Sequence, residues 1–339
     1  TDAPAADYII PGLVDLQVNG SHGIDAMRAS SDGLRALSRA LAREGVAAWL
    51  PTAVTSPLDR IERTDGAIAE ARDSQSGNAD QAAILGMHLE GPFISPARLG
   101  AHPKLNVDPS GDALARVLTL RTLKLITLAP ELPGALDAIG RLVARGVVVS
   151  IGHTDSTMDE ARTAIASGAR MFTHLFNAMR PLNQRDPGVI AAALSPSPAF
   201  AAVIPDGVHV HCEVLRMALL LRGAAGIILV TDKVALAHAS KEVAERAAAR
   251  GVAVRNGVAR LDNGTIAGAV ISLLDGVRIM VDQVGASVGE SAMMAATNPA
   301  LLLGISDRGR LEVGARADML VLDDKLQLKA VFISGCEIS

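Results

Sequence analysis

Five short stretches set a carboxylate or an imidazole directly after an apolar run. They are "HLEGPF" with Glu90, "SIGHT" with His153, "FTHLFN" with His174, "PDGVHV" with His209 and "LVTD" with Asp232. Taken singly, each has a plain structural reading. Glu90 is either a buried, paired acid or a metal ligand, and Asp232 either caps the next segment or acts on a substrate. Taken together they are harder to dismiss. Zinc accepts imidazole and carboxylate in one shell, and a catalytic site keeps three protein ligands and a place for water. Glu90, His153 and His174 supply that set. An Asp beside a metal-activated water can take its proton and return it to a leaving group, so Asp232 would complete a hydrolase.

Other polar residues could shape a substrate. His102 in "ARLGAHP" is either a surface histidine or a contact. The loop "HLFNAMRPLNQRDPG" offers Asn177, Arg180 and Arg185. The planar fork of arginine suits phosphate, although Arg185 also reads as a solvated turn residue. His209 and His211 compete for one role. His22, His88 and His238 lack a comparable context and read as structural or solvated. Upstream, "DLQVNG" places Gln17 and Asn19 two apart, the spacing at which a strand presents two side chains on one face.

Positioning such residues requires a repeated element. The chain has 339 residues, 49% of them hydrophobic, and a mean hydropathy of +0.30, enough for one large core. Apolar runs predict strands over 9–18, 46–54, 82–90, 123–131, 146–154, 169–177, 200–210 and 226–232. Continuous apolar strands fit a parallel sheet buried on both faces. Helical periodicity fills the gaps, as in 32–45 and 156–168, the latter opened by a Ser/Thr cap and closed by a glycine. Eight strands with crossovers count as a (β/α)8 barrel, whose chemistry sits at the C-terminal strand ends. Gln17, Glu90, Glu131, His153, His174, His209 and Asp232 all fall there. Residues 251–268 read as short strands with Asn-Gly turns, and 317–339 as a small β unit.

Composition excludes several classes. A net charge of -4 and a pI near 6.1 give no basic field for nucleic acid. The longest apolar runs are of strand length and cannot span a bilayer, and no signal peptide is visible. Cys212 and Cys336 form no framework, which points to a reducing cytoplasm.

The matching stretches "PGLVDLQVNG", "HLEGPFISPARLGAHP", "GHTDSTMDEA", "THLFNAMRPLNQRDPG", "PDGVHV", "LVTD", "TIAGAVISLLDGVR" and "NPALLLGISDRGRLEVGARADMLVLD" occur in order over residues 10 to about 335. Together they resemble the N-acetylglucosamine-6-phosphate deacetylases of the amidohydrolase superfamily. The resemblance implies a distorted (β/α)8 TIM barrel over 10–315. It also implies a small β-sandwich from 1–9 and 316–339, with its N-terminal half short or missing. It assigns Glu90, His153 and His174 to one divalent metal, zinc foremost, with iron(II) or cobalt(II) as alternatives. It makes Asp232 the acid/base and His102 the residue that polarises the acetamide carbonyl. Asn177, the backbone amide of Ala178, Arg185 and His209 become phosphate and sugar contacts, Arg185 reaching across a homodimer. Gln17 and Asn19 stand where other amidohydrolase barrels have His-x-His. That implies a single metal with Gln17 in hydrogen-bond contact behind its ligands.

The implied function is removal of acetyl from N-acetylglucosamine-6-phosphate. Alternatives are the same reaction on another N-acetylated sugar phosphate, such as N-acetylgalactosamine-6-phosphate, or a barrel that binds metal and sugar phosphate without turnover. One departure bears on this. Lys233 follows Asp232 where the family has a small residue. A cation there would depress the pKa of Asp232, contact an anionic substrate, or point away.

Overall fold

A computed structural model describes residues 7–75 and 80–338; residues 1–6 and 339 of the expected appendage lie outside them. Eight parallel strands form one continuous sheet in chain order. They are Leu13–Val18, Val46–Val54, Met87–Glu90, Leu123–Leu128, Val148–Ile151, Met171–Phe172, Phe200–Val203 and Ile227–Leu229. The sheet closes on itself beyond the last strand. There the Asp232 amide donates to the Gln17 carbonyl at 2.9 Å, and Val18 pairs with Lys233. The barrel expected from the sequence is therefore present.

Most of its strands are shorter than their apolar runs, while Val46–Val54 fills its run completely. The run 9–18 breaks at Gly12, where a Cβ would sit 2.6 Å from that of Ala47. The runs 146–154, 169–177 and 226–232 end early because the residues at their C-terminal ends leave the ladder. His153, His174 and Asp232 have φ of +47°, +30° and +51°. A non-glycine residue held in the left-handed region is strained, and such strain gathers at functional sites.

Two apolar layers hold the barrel. Leu34, Leu37 and Leu41 of helix Ser31–Arg43, with Ile61 and Ile68 of helix Leu58–Asp73, belong to the main buried cluster around Trp49 and Phe172. Val14, Leu50, Leu125, Met171, Ala202 and Ile228 form a second cluster drawn from strands around the ring, as expected of a filled barrel interior. Above it the lining turns polar. The His88 ring contacts Thr127 Oγ1 at 2.8 Å, which contacts Thr173 Oγ1 at 2.7 Å.

The chain ends meet in a four-stranded antiparallel sheet, in which Tyr8–Pro11 pairs with Met319–Leu322 and that strand with Leu328–Ile333. Helix Lys241–Ala248 and a three-stranded sheet over residues 252–269 follow the barrel. Asn256 and Gly257, at φ of +52° and +78°, make the predicted Asn-Gly turn.

Candidate active site

Glu90 ends the third strand and projects to the centre of the mouth. Its Oε1 lies 3.1 Å from His153 Nε2 and 2.9 Å from His174 Nε2, and the two imidazole nitrogens are 3.2 Å apart. All three side chains are buried. His153 Nδ1 faces the Arg98 carbonyl at 2.9 Å. A carbonyl only accepts, so that nitrogen holds the proton and Nε2 presents its lone pair. A carboxylate oxygen and imidazole nitrogens at these spacings fit the ligands of a small divalent cation with bonds of about 2.1 Å. Close packing makes this possible. Gly152 before His153 has no room for a side chain, since a Cβ would lie 2.7 Å from that of Thr173.

Asp232 is tied to this cluster through amides. Gln17 Nε2 donates to Glu90 Oε1 at 3.0 Å and to Asp232 Oδ1 at 3.1 Å. Asn19 Nδ2 donates to the same Oδ1 at 2.7 Å. Both amides therefore point to one side, as their spacing predicts, and both act on a carboxylate. Among the described residues no protein donor addresses the other oxygen of Asp232, which lines the cavity.

The electrostatics separate the two acids. Burial alone would raise Glu90, but His102, His153 and His174 around it hold its carboxyl well below the usual range. Burial pushes Asp232 up to about 6, and the charge of Glu90 adds to it. Burial takes His153 down to about 4, so it is neutral and ready to ligate near pH 7. His174 is raised, because its bond to Glu90 and the charges of Glu90 and Asp232 outweigh burial.

His102 packs against His153 with ring centroids 4.4 Å apart. Its Nδ1 pairs with Thr55 Oγ1 at 2.9 Å, and its Nε2 is 3.6 Å from Glu90 Oε2. His209 lines the same cavity, oriented by a 2.5 Å contact from Nδ1 to Asp206 Oδ2. Asn177 and Ala178 line it too, Ala178 at a φ of +50°. Arg185 does not; it is exposed on its loop. His211 instead caps helix Cys212–Arg222. Glu131 holds Thr154 and the Asp155 amide and takes no part in the cluster.

Lys233 points away from Asp232. It is fully buried, and its ammonium pairs with Glu44. His22 also binds that carboxylate, at 2.8 Å. Thr55 and Asp206 are site residues that the sequence did not single out, and Asn19, singled out with Gln17, acts on Asp232. Asp206 stood three residues from His209 in the same motif, whereas Thr55 meets His102 across 47 residues with no local signal.

A closed parallel barrel with a buried Glu-His-His cluster and a carboxylate after its last strand defines a class of metal-dependent barrel hydrolases. The amidohydrolase family model matches residues 8–338. The N-acetylglucosamine-6-phosphate deacetylase of Bos taurus is 37% identical, over 96% of this chain and 82% of its own length. The N-acetylgalactosamine-6-phosphate deacetylase of Escherichia coli O157:H7 is 34% identical, over 97% and 87%. A variant of the Mycobacterium smegmatis N-acetyl-D-glucosamine-6-phosphate deacetylase, solved with N-acetyl-D-glucosamine-6-phosphate, superposes with a TM-score of 0.88 at 34% identity, over 100% and 91%. The chain belongs to the amidohydrolase family, within its N-acetylglucosamine-6-phosphate deacetylases.

Proposed function

We propose that this chain hydrolyses the acetamide of N-acetylglucosamine-6-phosphate to acetate and glucosamine-6-phosphate. The observation that supports it best is Asp232, lifted toward neutrality and one amide away from the Glu90–His153–His174 cluster. Those three residues would hold one divalent ion, zinc by preference, with iron(II) or cobalt(II) suited to the same donors. Such an ion, when bound, makes water acidic and polarises a carbonyl.

The residues of the chain supply the rest. The free oxygen of Asp232 takes the proton of the attacking water and returns it to the leaving amine. His102 donates to the developing oxyanion. His209, Asn177 and the Ala178 amide hold the phosphate, and Arg185 of a second copy completes the grip in a homodimer. Binding remote from the amide thus orients it for attack. A catalytic barrel over 10–315 with an appendage from the ends is our division of the chain. The free Cys212 and Cys336 suit a cytoplasmic enzyme; no helix among the described residues is long and apolar enough to cross a membrane.

Acetate release from N-acetylglucosamine-6-phosphate, with metal analysis before and after chelation, tests this. One metal per chain and activity lost with it are expected. Binding of the sugar phosphate with no acetate released would overturn it. A panel including N-acetylgalactosamine-6-phosphate separates the epimers, which the E. coli relative makes a real alternative.

A further inference from the structure

The cavity above the cluster has a basic rim that deacetylation leaves unused. Its volume is about 860 Å³. That lies high in the roughly 300–1,000 Å³ of ligand pockets, whereas an N-acetylated amino sugar phosphate has only about twenty non-hydrogen atoms. Arg28, Arg60, Arg246 and Arg250 line the cavity, with Asp25 among them. A recess of about 510 Å³ adjoins it, lined by Arg28, Arg60 and Arg63, with no carboxylate among its described lining residues.

Arg60 and Arg63 stand one turn apart on helix Leu58–Asp73, where like charges repel. Their acidic neighbours Asp59 and Glu62 both form their ion pairs with Arg116, and Arg63 meets Asp59 only through its charge at longer range. Arg28 has only a 3.5 Å contact with Asp25, its own side chain largely exposed and that of Asp25 about half-exposed. In a chain of net charge -4, three guanidinium forks around a recess whose described lining holds no carboxylate, with Asp25 of the main cavity the one acid among the described residues in contact with them, form a ready anion site. Arg60 follows the second strand, across the barrel from Asn177 and Ala178 after the sixth.

We propose that Arg28, Arg60 and Arg63 bind a second phosphate or carboxylate, opposite the wall that holds the sugar phosphate. The anion is either a further group on an N-acetylated amino sugar phosphate or a free ion beside the substrate. The inference rests on the proposed function only for which wall takes the first phosphate.

The test uses the metal-loaded full chain and the double variant Arg60→Gln with Arg63→Gln. Calorimetry with inorganic phosphate should count one site fewer in the variant, with its melting temperature unchanged. Acetate release is then compared for N-acetylglucosamine-6-phosphate and for N-acetylmuramic acid 6-phosphate, the same sugar with an added carboxylate. A loss of about tenfold in kcat/KM on the second substrate only would assign the site to substrate. Loss of phosphate binding with both rates unchanged would assign it to a free anion. An unchanged phosphate count with an unchanged substrate ratio would overturn the proposal. If neither sugar is cleaved, the deacetylase reading fails while the calorimetric count still decides the anion site.

Discussion

At the scale of single residues, the site works by giving two carboxylates different surroundings. Glu90 is ringed by imidazoles and stays ionised, while Asp232 is buried with fewer donors and sits near 6. Asp232→Asn removes the proton carrier and keeps the hydrogen-bonding shape. It should lower kcat by about 10²- to 10⁴-fold while metal analysis still finds one ion per chain. Asn19→Ala tests the amide side. The Asn19 donor favours the charged carboxylate. Without it Asp232 holds its proton more tightly, so the acid limb of the kcat/KM profile should move to higher pH. A limb that stays put would show that Asn19 only fills space.

At the scale of elements, the last strand is fastened to the first helix. Lys233 reaches from the end of the barrel to Glu44, the residue that ends helix Ser31–Arg43. Its carbonyl also accepts the Asn19 and Gly20 amides, so the same residue anchors the strand that carries Gln17. Lys233→Met leaves Glu44 without its buried cation and should cost about 3 kcal/mol in urea unfolding. Adding Glu44→Gln should recover most of that loss. If the single variant is as stable as the parent, the pair is not a clamp. The pairing of this ammonium with Glu44 also settles the role of a lysine beside Asp232. Among the influences on the Asp232 carboxyl, burial and Glu90 lead.

At the scale of the whole molecule, closure of the barrel has a measurable electrostatic cost. Asp15 in the first strand accepts Thr231 Oγ1 at 2.6 Å across the seam. Burial lifts its carboxyl from 3.8 to about 6, although Thr231 and the charge of Lys233 pull it down. The folded state thus holds this proton more tightly than the unfolded one. The stability it contributes is full below pH 3.8 and is lost as pH rises through about 6. Asp15→Asn can keep the seam bonds and removes the titration. Relative to the parent, its unfolding free energy should gain up to about 3 kcal/mol between roughly pH 4 and pH 8. A gain independent of pH would mean the proton is not the cause.

Much of this was legible in the linear chain. The apolar runs marked eight strands, and the polar residues closing them marked one face, because in a parallel barrel every strand presents the same end. Glu90, His153, His174 and Asp232 could be named for that reason alone. What the sequence could not reveal depends on contacts between distant segments. Three strands stop short of their apolar runs because His153, His174 and Asp232 turn into left-handed backbone at the rim. Thr55 behind His102, the Arg98 carbonyl behind His153 and Glu44 beneath Lys233 come from other elements. The sequence determined which groups could do chemistry. Only packing decided which lone pairs face one another, which carboxylate is lifted toward neutrality and where the lysine's charge is spent, because burial and neighbouring charge are properties of the folded chain.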